Sequence, residues 1–530
     1  MRTAWMLGGI LGLSAMAAAS PNVQFQTVIN QGDPIAGDQF ENASQVVVAP
    51  DGTVGIVGLL ENSGNEIVIY STPQPVDSWD NQVVAVAGQN YPFPNPSGTE
   101  NFNSFDNLAM TSGLSTGTRL TFDAQDSSAN GYVGILQWDA GNPTILNDVA
   151  FQGDNKGYSV TPGTLSGGAL VELQVNGSGQ VLFPATPSTG PGTGLLVRGD
   201  ESSLTTVFTS TSSLSNTPSG TNTDQMSRLA LGADNSGAAL LTASGNPNPG
   251  VYIIPANGGA PSAIPLGSYT LSTFADPIIG YASGLGVNAT LILANGSSSR
   301  SQNILLSKNG GTPQPIVAQF TQPTSYESTE GQMTPNGQIA LYIPNTTGDT
   351  IQYANAASAN SNASVVASVY SGSGPVPSTA TALDPSGSNL DIEALTSPGS
   401  TAGPEINSSG TILFDAEVGT SPGNEKAALM DWMPGDQSPE ILLAAGDQVD
   451  VDGSMVTIDD FYVNNLSNDY DYYKNGLNDL NEIAIGVDYT GGPNGSGSAV
   501  LYAAIPSVPE PSTIALVSVA AFGLFKRRRR

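Results

Sequence analysis

The side chains with the most chemical potential gather between Gly446 and Asp479. There the chain reads D-Q-V-D-V-D-G, which sets Asp447, Asp450 and Asp452 ahead of Gly453. Asp459-Asp460 and then Asp469 and Asp471 follow. Oxygen ligands on a glycine-containing turn are what calcium takes. The spacing D-x-x-D-x-D-G departs from the EF-hand loop and lacks its closing glutamate. A calcium site at Asp447, Asp450 and Asp452 therefore competes with a solvated loop joining two repeats. Tyr470, Tyr472 and Tyr473, with Phe461 and Tyr462 nearby, could offer an aromatic platform to a sugar ring. The competing expectation is packing on a strand face. A carboxylate-dependent glycosidase or lyase needs two acids facing each other across a cleft, and no motif singles out such a pair. Arg198-Gly199-Asp200 is a three-residue match, too short to carry information.

Composition removes most other chemistry. The 530 residues include no cysteine and no histidine. Disulfides, thiolate nucleophiles, His–Ser triads and the usual zinc sites are excluded. The expectation is a protein without a catalytic role and without a cofactor, calcium being the one candidate. The formal charge of −31 understates the acidity of the body. Six of the 14 basic residues, Arg2 and Lys526 to Arg530, lie at the extreme ends. Such a body repels nucleic acid and anionic lipid.

The elements that must position any site are short strands. Gly (62) and Pro (37) are abundant and charged residues make up only 11%, which favours strands and turns over long helices. The clearest unit is Asn407 to Val418, N-S-S-G-T-I-L-F-D-A-E-V. Asn407 can fold back on its own backbone, Gly410 can take positive φ, and Ile412 and Phe414 then share one strand face. The phrase recurs along the body, as at Asn176 (N-G-S-G-Q-V-L-F), Asp234 (D-N-S-G-A-A-L-L), Pro335 and Asn478. The period is roughly 60 residues, with four strand-like segments per unit.

The last unit stops two strands short. V-Q-F-Q-T-V-I-N-Q-G-D (Val23 to Asp33) and F-E-N-A-S-Q-V-V-V-A (Phe40 to Ala49) look like the missing pieces at the other end of the chain. The expectation is all-β: a single β-propeller of about eight four-stranded blades, closed by N-terminal strands that complete the last blade. The count becomes seven if the weak unit near Asn288 is an insertion. The alternative is two propeller-like or sandwich domains in tandem. The repeat phrase resembles that of the N-x-x-G-x-x-A-F tandem-repeat proteins of bacterial surfaces, through Asn176/Gly179/Phe183, Asn407/Gly410/Phe414 and, loosely, Asp234/Gly237 and Asn478/Asn481. That resemblance implies interchangeable C-terminal anchors and no particular activity.

Both ends read as addresses, giving three segments: 1–19, 20–506 and 507–530. Met1 to Ala19 has a positive start and a short apolar run. Ala17-Ala18-Ala19 fits a signal-peptidase site, with cleavage between Ala19 and Ser20. The C-terminus has Pro509-Glu510-Pro511, an apolar run from Ile514 to Phe525, then Lys526, Arg527, Arg528, Arg529 and Arg530. Twelve apolar residues make about 18 Å of helix against a hydrocarbon core of about 30 Å. The basic cluster stays on the cytoplasmic side. This is a transient stop in the inner membrane with a cleavable junction. The segment closely resembles the PEP-CTERM sorting signal. The resemblance implies a Gram-negative bacterium, processing by an exosortase, release to the cell surface or outside, and an association with exopolysaccharide and biofilm or floc formation. The expected role is structural or adhesive. A calcium-assisted carbohydrate-binding module at Tyr470, Tyr472 and Tyr473 is the alternative.

Overall fold

A computed structural model describes residues 23–506, except for 76–77, 92–99, 116, 127–132, 152–157, 161–172, 188–194, 210–225, 242–249, 272–277, 285–286, 296–300, 322–328, 347, 359–360, 370–377, 386, 396–402, 421–424, 463–475 and 494. The expected terminal helices, signal cleavage site and sorting signal lie outside these residues. The described chain is all-β. Its single helical element is a 3-10 turn at Ser378–Ala380. Among the described residues no helix is long and apolar enough to cross a membrane.

The strands form eight antiparallel-rich sheets in chain order. Sheet 1 covers residues 34–86, sheet 2 90–151, sheet 3 158–209 and sheet 4 226–263. Sheet 5 covers 270–321, sheet 6 330–368, sheet 7 381–444 and sheet 8 448–504. Sheet 8 also holds Gln26–Asn30, which pairs antiparallel with Gly495–Ala504 in the register Gln26 to Tyr502 and Asn30 to Ala499. The first described strand is thus zipped to the last described one.

The sheets are buried on both faces, which explains why few strands alternate cleanly between apolar and polar. In Ile412–Gly419, Ile412, Phe414, Ala416 and Val418 pack toward sheet 6, while Leu413 joins the core shared with sheet 8. The same division holds throughout. Each buried cluster is built from two consecutive sheets, from the aromatic seam of sheets 1 and 2 (Phe102, Phe105, Phe122, Trp138) to that of sheets 7 and 8. One further cluster joins the ends. Val28, Ile29, Ala484 and Val500 of sheet 8 pack on Phe40, Val46 and Ile56 of sheet 1.

The recurring phrase forms the turn between the first two long strands of a sheet. The Asn407 N–H donates to Thr411 O (3.1 Å) and the Gly410 N–H to Asn407 O (2.9 Å). The same two backbone bonds recur from Ala49, Asn176, Gly232, Thr334 and Asn478. The residue three positions on has positive φ each time: Gly52, Gly179, Asn235, Gly337, Gly410 and Asn481. At Gly410 (φ +90°) a Cβ would also sit 2.9 Å from Pro434 Cγ. In sheet 4 the equivalents of Asn407 and Gly410 are therefore Gly232 and Asn235, not Asp234 and Gly237. Asparagine tolerates the left-handed region that the turn imposes.

Asparagine at the first position does two jobs. Asn407 Oδ1 accepts the N–H groups of Ser409 (3.1 Å) and Thr411 (3.0 Å), closing its own turn. Asn407 Nδ2 donates to Asn478 O (2.9 Å) and Asn481 Oδ1 (2.6 Å) in the next turn. Asn176 repeats this, with Nδ2 reaching Gly232 O at 2.9 Å. Asn478 Nδ2 reaches Ala49 O at 2.8 Å, carrying the stitch from sheet 8 back to sheet 1.

Two expectations are corrected. Phe40 to Ala49 does not complete the last repeat. It lies within Asp38–Val48 and beyond, paired with Val54–Leu60 in sheet 1, because the tight turn at Ala49 makes those strands local neighbours. The acidic stretch is not simply a loop between repeats either. Gln448–Val451 and Ser454–Tyr462 form a hairpin, so sheet 8 lacks one strand, not two.

Asn407→Ala leaves buried backbone donors and the Asn478 carbonyl short of partners. It is expected to lower unfolding free energy by about 3 kcal/mol, read by chemical denaturation of the body. A loss below about 0.5 kcal/mol would mean that adjoining turns hold without the amide. Deleting residues 20–30 bares the edge of Gly495–Ala504, and self-association through that edge is expected in light scattering. A deletion variant that stays monomeric with an unchanged melting temperature would show that the end-to-end pairing contributes nothing.

Candidate functional site

One cavity of about 280 Å³ is bordered by the turns at Asn176, Gly232, Thr334, Asn407 and Asn478 and by neighbouring strands. Its wall takes residues from every sheet, among them Met110, Asn176, Tyr281, Met333 and Asn407. The polar side chains are largely committed. Asn176 and Asn407 are spent on their turns, and Tyr281 shares a 2.7 Å hydrogen bond with Ser236 Oγ. Asp479 is the one carboxylate of the lining, and its Oδ1 accepts the Ser408 N–H at 2.8 Å. Apart from Asp479, the cavity therefore offers a small uncharged surface of backbone, amide and apolar side chains.

The acids of the predicted calcium site serve the hairpin of sheet 8. Asp447 Oδ2 accepts the Ala444 N–H (2.9 Å), and its Oδ1 lies 3.7 Å from Lys426 Nζ. Asp450 points outward from Gln448–Val451, while Val449 and Val451 point in. Asp452 (φ +50°) and Gly453 (φ +82°) are the two-residue tip, the Asp-Gly sequence that such a turn favours. The Asp452 N–H donates to Thr27 Oγ1 at 3.2 Å, holding the tip to the N-terminal strand. Five residues of extended chain separate Asp447 from Asp452, about 17 Å. No group of three or more acidic side chains is arranged to hold a metal ion among the described residues.

Tyr470, Tyr472 and Tyr473 lie outside the described residues. Their neighbours are structural. Phe461 is in the core of sheets 7 and 8, and Tyr462 OH donates to Ala43 O of sheet 1 at 2.7 Å. Arg198-Gly199-Asp200 is no displayed recognition loop. Arg198 is buried and donates to the carbonyls of Pro255 (3.2 Å) and Ala256 (2.6 Å) of sheet 4. Asp200 Oδ1 accepts the Ser202 N–H (2.9 Å).

Two carboxylate features escape the sequence reading. Glu66 is half-buried at the seam of sheets 1 and 2, where it accepts the Phe105 N–H at 2.6 Å. Loss of water pushes its carboxyl up to about 7, and the charge of Asp106 pushes the same way, against the pull of that hydrogen bond. The second is a cleft of about 530 Å³ beside sheets 7 and 8, with Asp431 on its wall. The signal for it was a carboxylate inside the apolar run K-A-A-L-M-D-W.

With the geometry in view, the chain can be set beside known proteins. Residues 507–530 match the PEP-CTERM protein-sorting motif. This motif marks a protein exported and sorted to the cell surface or outside, and processed by an exosortase. No curated protein matches the chain in sequence. Solved structures to which the chain shows similarity include a prolyl endopeptidase (12% identity, TM-score 0.40, covering 83% of this chain and 53% of that one). Prolyl oligopeptidase B from Galerina marginata follows (9%, TM-score 0.36, 91% and 55%). So does TolB from Acinetobacter baumannii (10%, TM-score 0.28, 74% and 82%). The chain spans little more than half the length of either peptidase.

The Glu66 carboxyl gives a pH test. Its folded pKa of about 7 lies above its ordinary value of 4.5, so the folded state holds the proton more tightly. Stability is then highest at low pH for this group and falls as pH rises from about 4.5 to 7. Glu66→Gln is expected to flatten that fall and to melt above the wild type at pH 8. An unchanged melting profile between pH 4.5 and 8 would remove Glu66 as its source.

Proposed function

We propose that this chain is an exported, non-catalytic structural or adhesive protein of a Gram-negative bacterial surface, acting close to exopolysaccharide in a biofilm matrix. The observation that carries the reading is the sorting motif at residues 507–530, an address that removes the protein from the cell. We infer further that the body is a single eight-bladed β-propeller. Supporting this are eight sheets, buried clusters joining each to the next, a last cluster joining sheet 8 to sheet 1, and a cavity bordered by all eight. An absence of cysteine and histidine suits a body held by packing alone, and the acidic surface suits a hydrated matrix.

Exosortase processing at Pro509-Glu510-Pro511 predicts a sharp dependence on the triplet. Glu510→Ala is expected to leave the full-length chain in the inner membrane and to deplete the mature form outside at least tenfold, read by immunoblotting of cell fractions. The same loss is expected in a host whose exosortase is deleted. Undiminished export in both cases would overturn the processing route. Co-sedimentation of the mature protein with the host's own exopolysaccharide tests the adhesive role. Its absence, with export intact, would overturn that role alone.

A further inference from the structure

The turn that leads from Gln26–Asn30 into sheet 1 reads Gly32-Asp33-Pro34. Its backbone is clamped to Phe40, which is fully buried. The Gly32 N–H donates to Phe40 O (2.8 Å), and the Phe40 N–H donates to Asp33 O (2.9 Å). The Asp33 N–H donates to Asn30 O (3.0 Å), and Asp33 Oδ2 accepts the Asn30 N–H (2.8 Å). Asp33 Oδ1 meets no donor among the described residues. The covalent geometry of aspartate keeps that oxygen within reach of its own carbonyl carbon. Pro34, on the far side of the carbonyl, is exposed to water. The turn has a twin at the entry to sheet 8, Gly446-Asp447-Gln448. There Gly446 donates to Ile458 O (2.8 Å), Ile458 to Asp447 O (2.9 Å), Asp447 to Ala444 O (3.0 Å) and Ala444 to Asp447 Oδ2 (2.9 Å). The twins differ at two points. Asp447 is followed by glutamine rather than proline, and its Oδ1 lies 3.7 Å from Lys426 Nζ.

We propose that Asp33–Pro34 is a self-cleaving peptide bond, hydrolysed in mild acid by the Asp33 side chain. Asp33 Oδ1 attacks its own carbonyl carbon, and the Phe40 N–H that already meets the carbonyl oxygen stabilises the negative charge developing there. The C–N bond to Pro34 then breaks. The proline nitrogen leaves as a secondary amine, taking the proton that the carboxyl gives up. What remains is a cyclic anhydride between the Asp33 side chain and its α-carbonyl. Water opens it, restoring the side-chain carboxyl and leaving a new α-carboxyl on residue 33. Water is the only co-reactant. Proline suits the leaving position because its amide nitrogen carries no hydrogen and departs as a basic secondary amine. Burial raises the Asp33 carboxyl above its ordinary value of 3.8, against the hydrogen bond from Asn30, and the charge of Asp452 adds to the rise. Tyr489 is the other titratable group that acts on it. The carboxyl thus keeps its proton into milder acid than a free aspartate does. After the cut, Gln26–Asn30 stays paired with Gly495–Ala504, and Val28 and Ile29 stay in the core. The body remains one particle, but its closing strand is no longer covalently joined to sheet 1. The clasp becomes releasable, and the edge it covers becomes open to the strand of a second copy. This inference is independent of the adhesive role.

The test holds the purified exported protein in buffers from mild acid to neutrality and follows its intact mass. N-terminal sequencing reads whether a new chain starts at Pro34. Cleavage is expected to quicken as pH falls and to level off below a midpoint that lies above 3.8. Asp452→Asn removes a charge that favours the proton on Asp33, so the midpoint is expected to move to lower pH. Asp33→Asn keeps an acceptor for the Asn30 N–H and is expected to slow the cut about a hundredfold, and Pro34→Ala about tenfold. Asp384–Pro385 is an internal reference. It is the same dipeptide, but Asp384 Oδ1 accepts the Ser388 N–H (2.7 Å), and slower cutting is expected there. Equal rates at the two bonds, or a rate at Asp33 unchanged in urea, would reduce the effect to ordinary acid lability and overturn the proposal. A chain that stays intact throughout the pH series would overturn it too, as would cutting indifferent to Asp33→Asn. The nicked protein is expected to run as one species in size exclusion and to part only in denaturant. Separate elution of the piece ending at Asp33 would overturn the retained clasp.

Discussion

The structure depends on a buried amide at the first position of a turn. Asn407, Asn176 and Asn478 each close their own turn through Oδ1 and reach the next sheet through Nδ2. Where the first position is Gly232 or Ala49 and carries no amide, the aspartate two residues on, Asp234 or Asp51, takes over. Each caps its own turn and then takes hydroxyl donors from a neighbouring sheet, Ser283 in one case and Thr118 in the other. The stitch survives with its direction reversed, so the donor and the acceptor can exchange sheets while the seam stays satisfied.

That local device matters because the sheets cannot stand alone. Each strand feeds apolar residues to both faces, so every sheet needs two neighbours. A linear stack would leave an exposed face at each end. Here the two end faces meet, with Phe40 and Val46 against Ala484 and Val500. The pairing of Gln26–Asn30 with Gly495–Ala504 covers the edge beside them. Asn478 adds its hydrogen bond to Ala49 at the same junction. Packing, strand pairing and turn stitching thus agree at the junction between the chain's ends, as expected of a sequence whose local and global preferences coincide.

Strand content, the turn phrase and the end-to-end pairing were legible in the sequence because each has a local signature. The phrase N-S-S-G-T carries its own hydrogen-bond plan, and V-Q-F-Q-T-V-I-N ends in the same manner as other third strands. The boundary between sheets was not legible. A repeat read from its most conspicuous turn starts at the second strand of a sheet, so Phe40 to Ala49 was assigned to the wrong end. The hairpin at Asp452-Gly453 was hidden by its acids. Charge drew attention to Asp447, Asp450 and Asp452, whereas the alternation of Val449 and Val451 decided the structure. In the neighbouring sheet, Asp431 looked ordinary because its neighbours in sequence are apolar, while Asp436 and Glu440 are brought beside it by the turn and strand that follow.

The placement of the ends also bears on how such a chain tolerates trimming. Val23 and Phe25 line the same cleft as Ile505 and Pro506. Between them, Gln26–Asn30 is held by four register pairs to Gly495–Ala504. Segments outside this clasp can be removed without breaking a sheet, since no described strand lies beyond it. The 24 residues that match the sorting motif lie beyond it and can act as an address while the body folds as a unit. The clasp itself is non-local, joining residues more than 460 positions apart, so its loop-closure cost falls late in folding. No strand of sheets 1 to 7 pairs with the N-terminal strand, and sheet 8 lacks only its edge without it. That order suits export in an extended state followed by folding outside, with the seam between first and last sheets the final one to form.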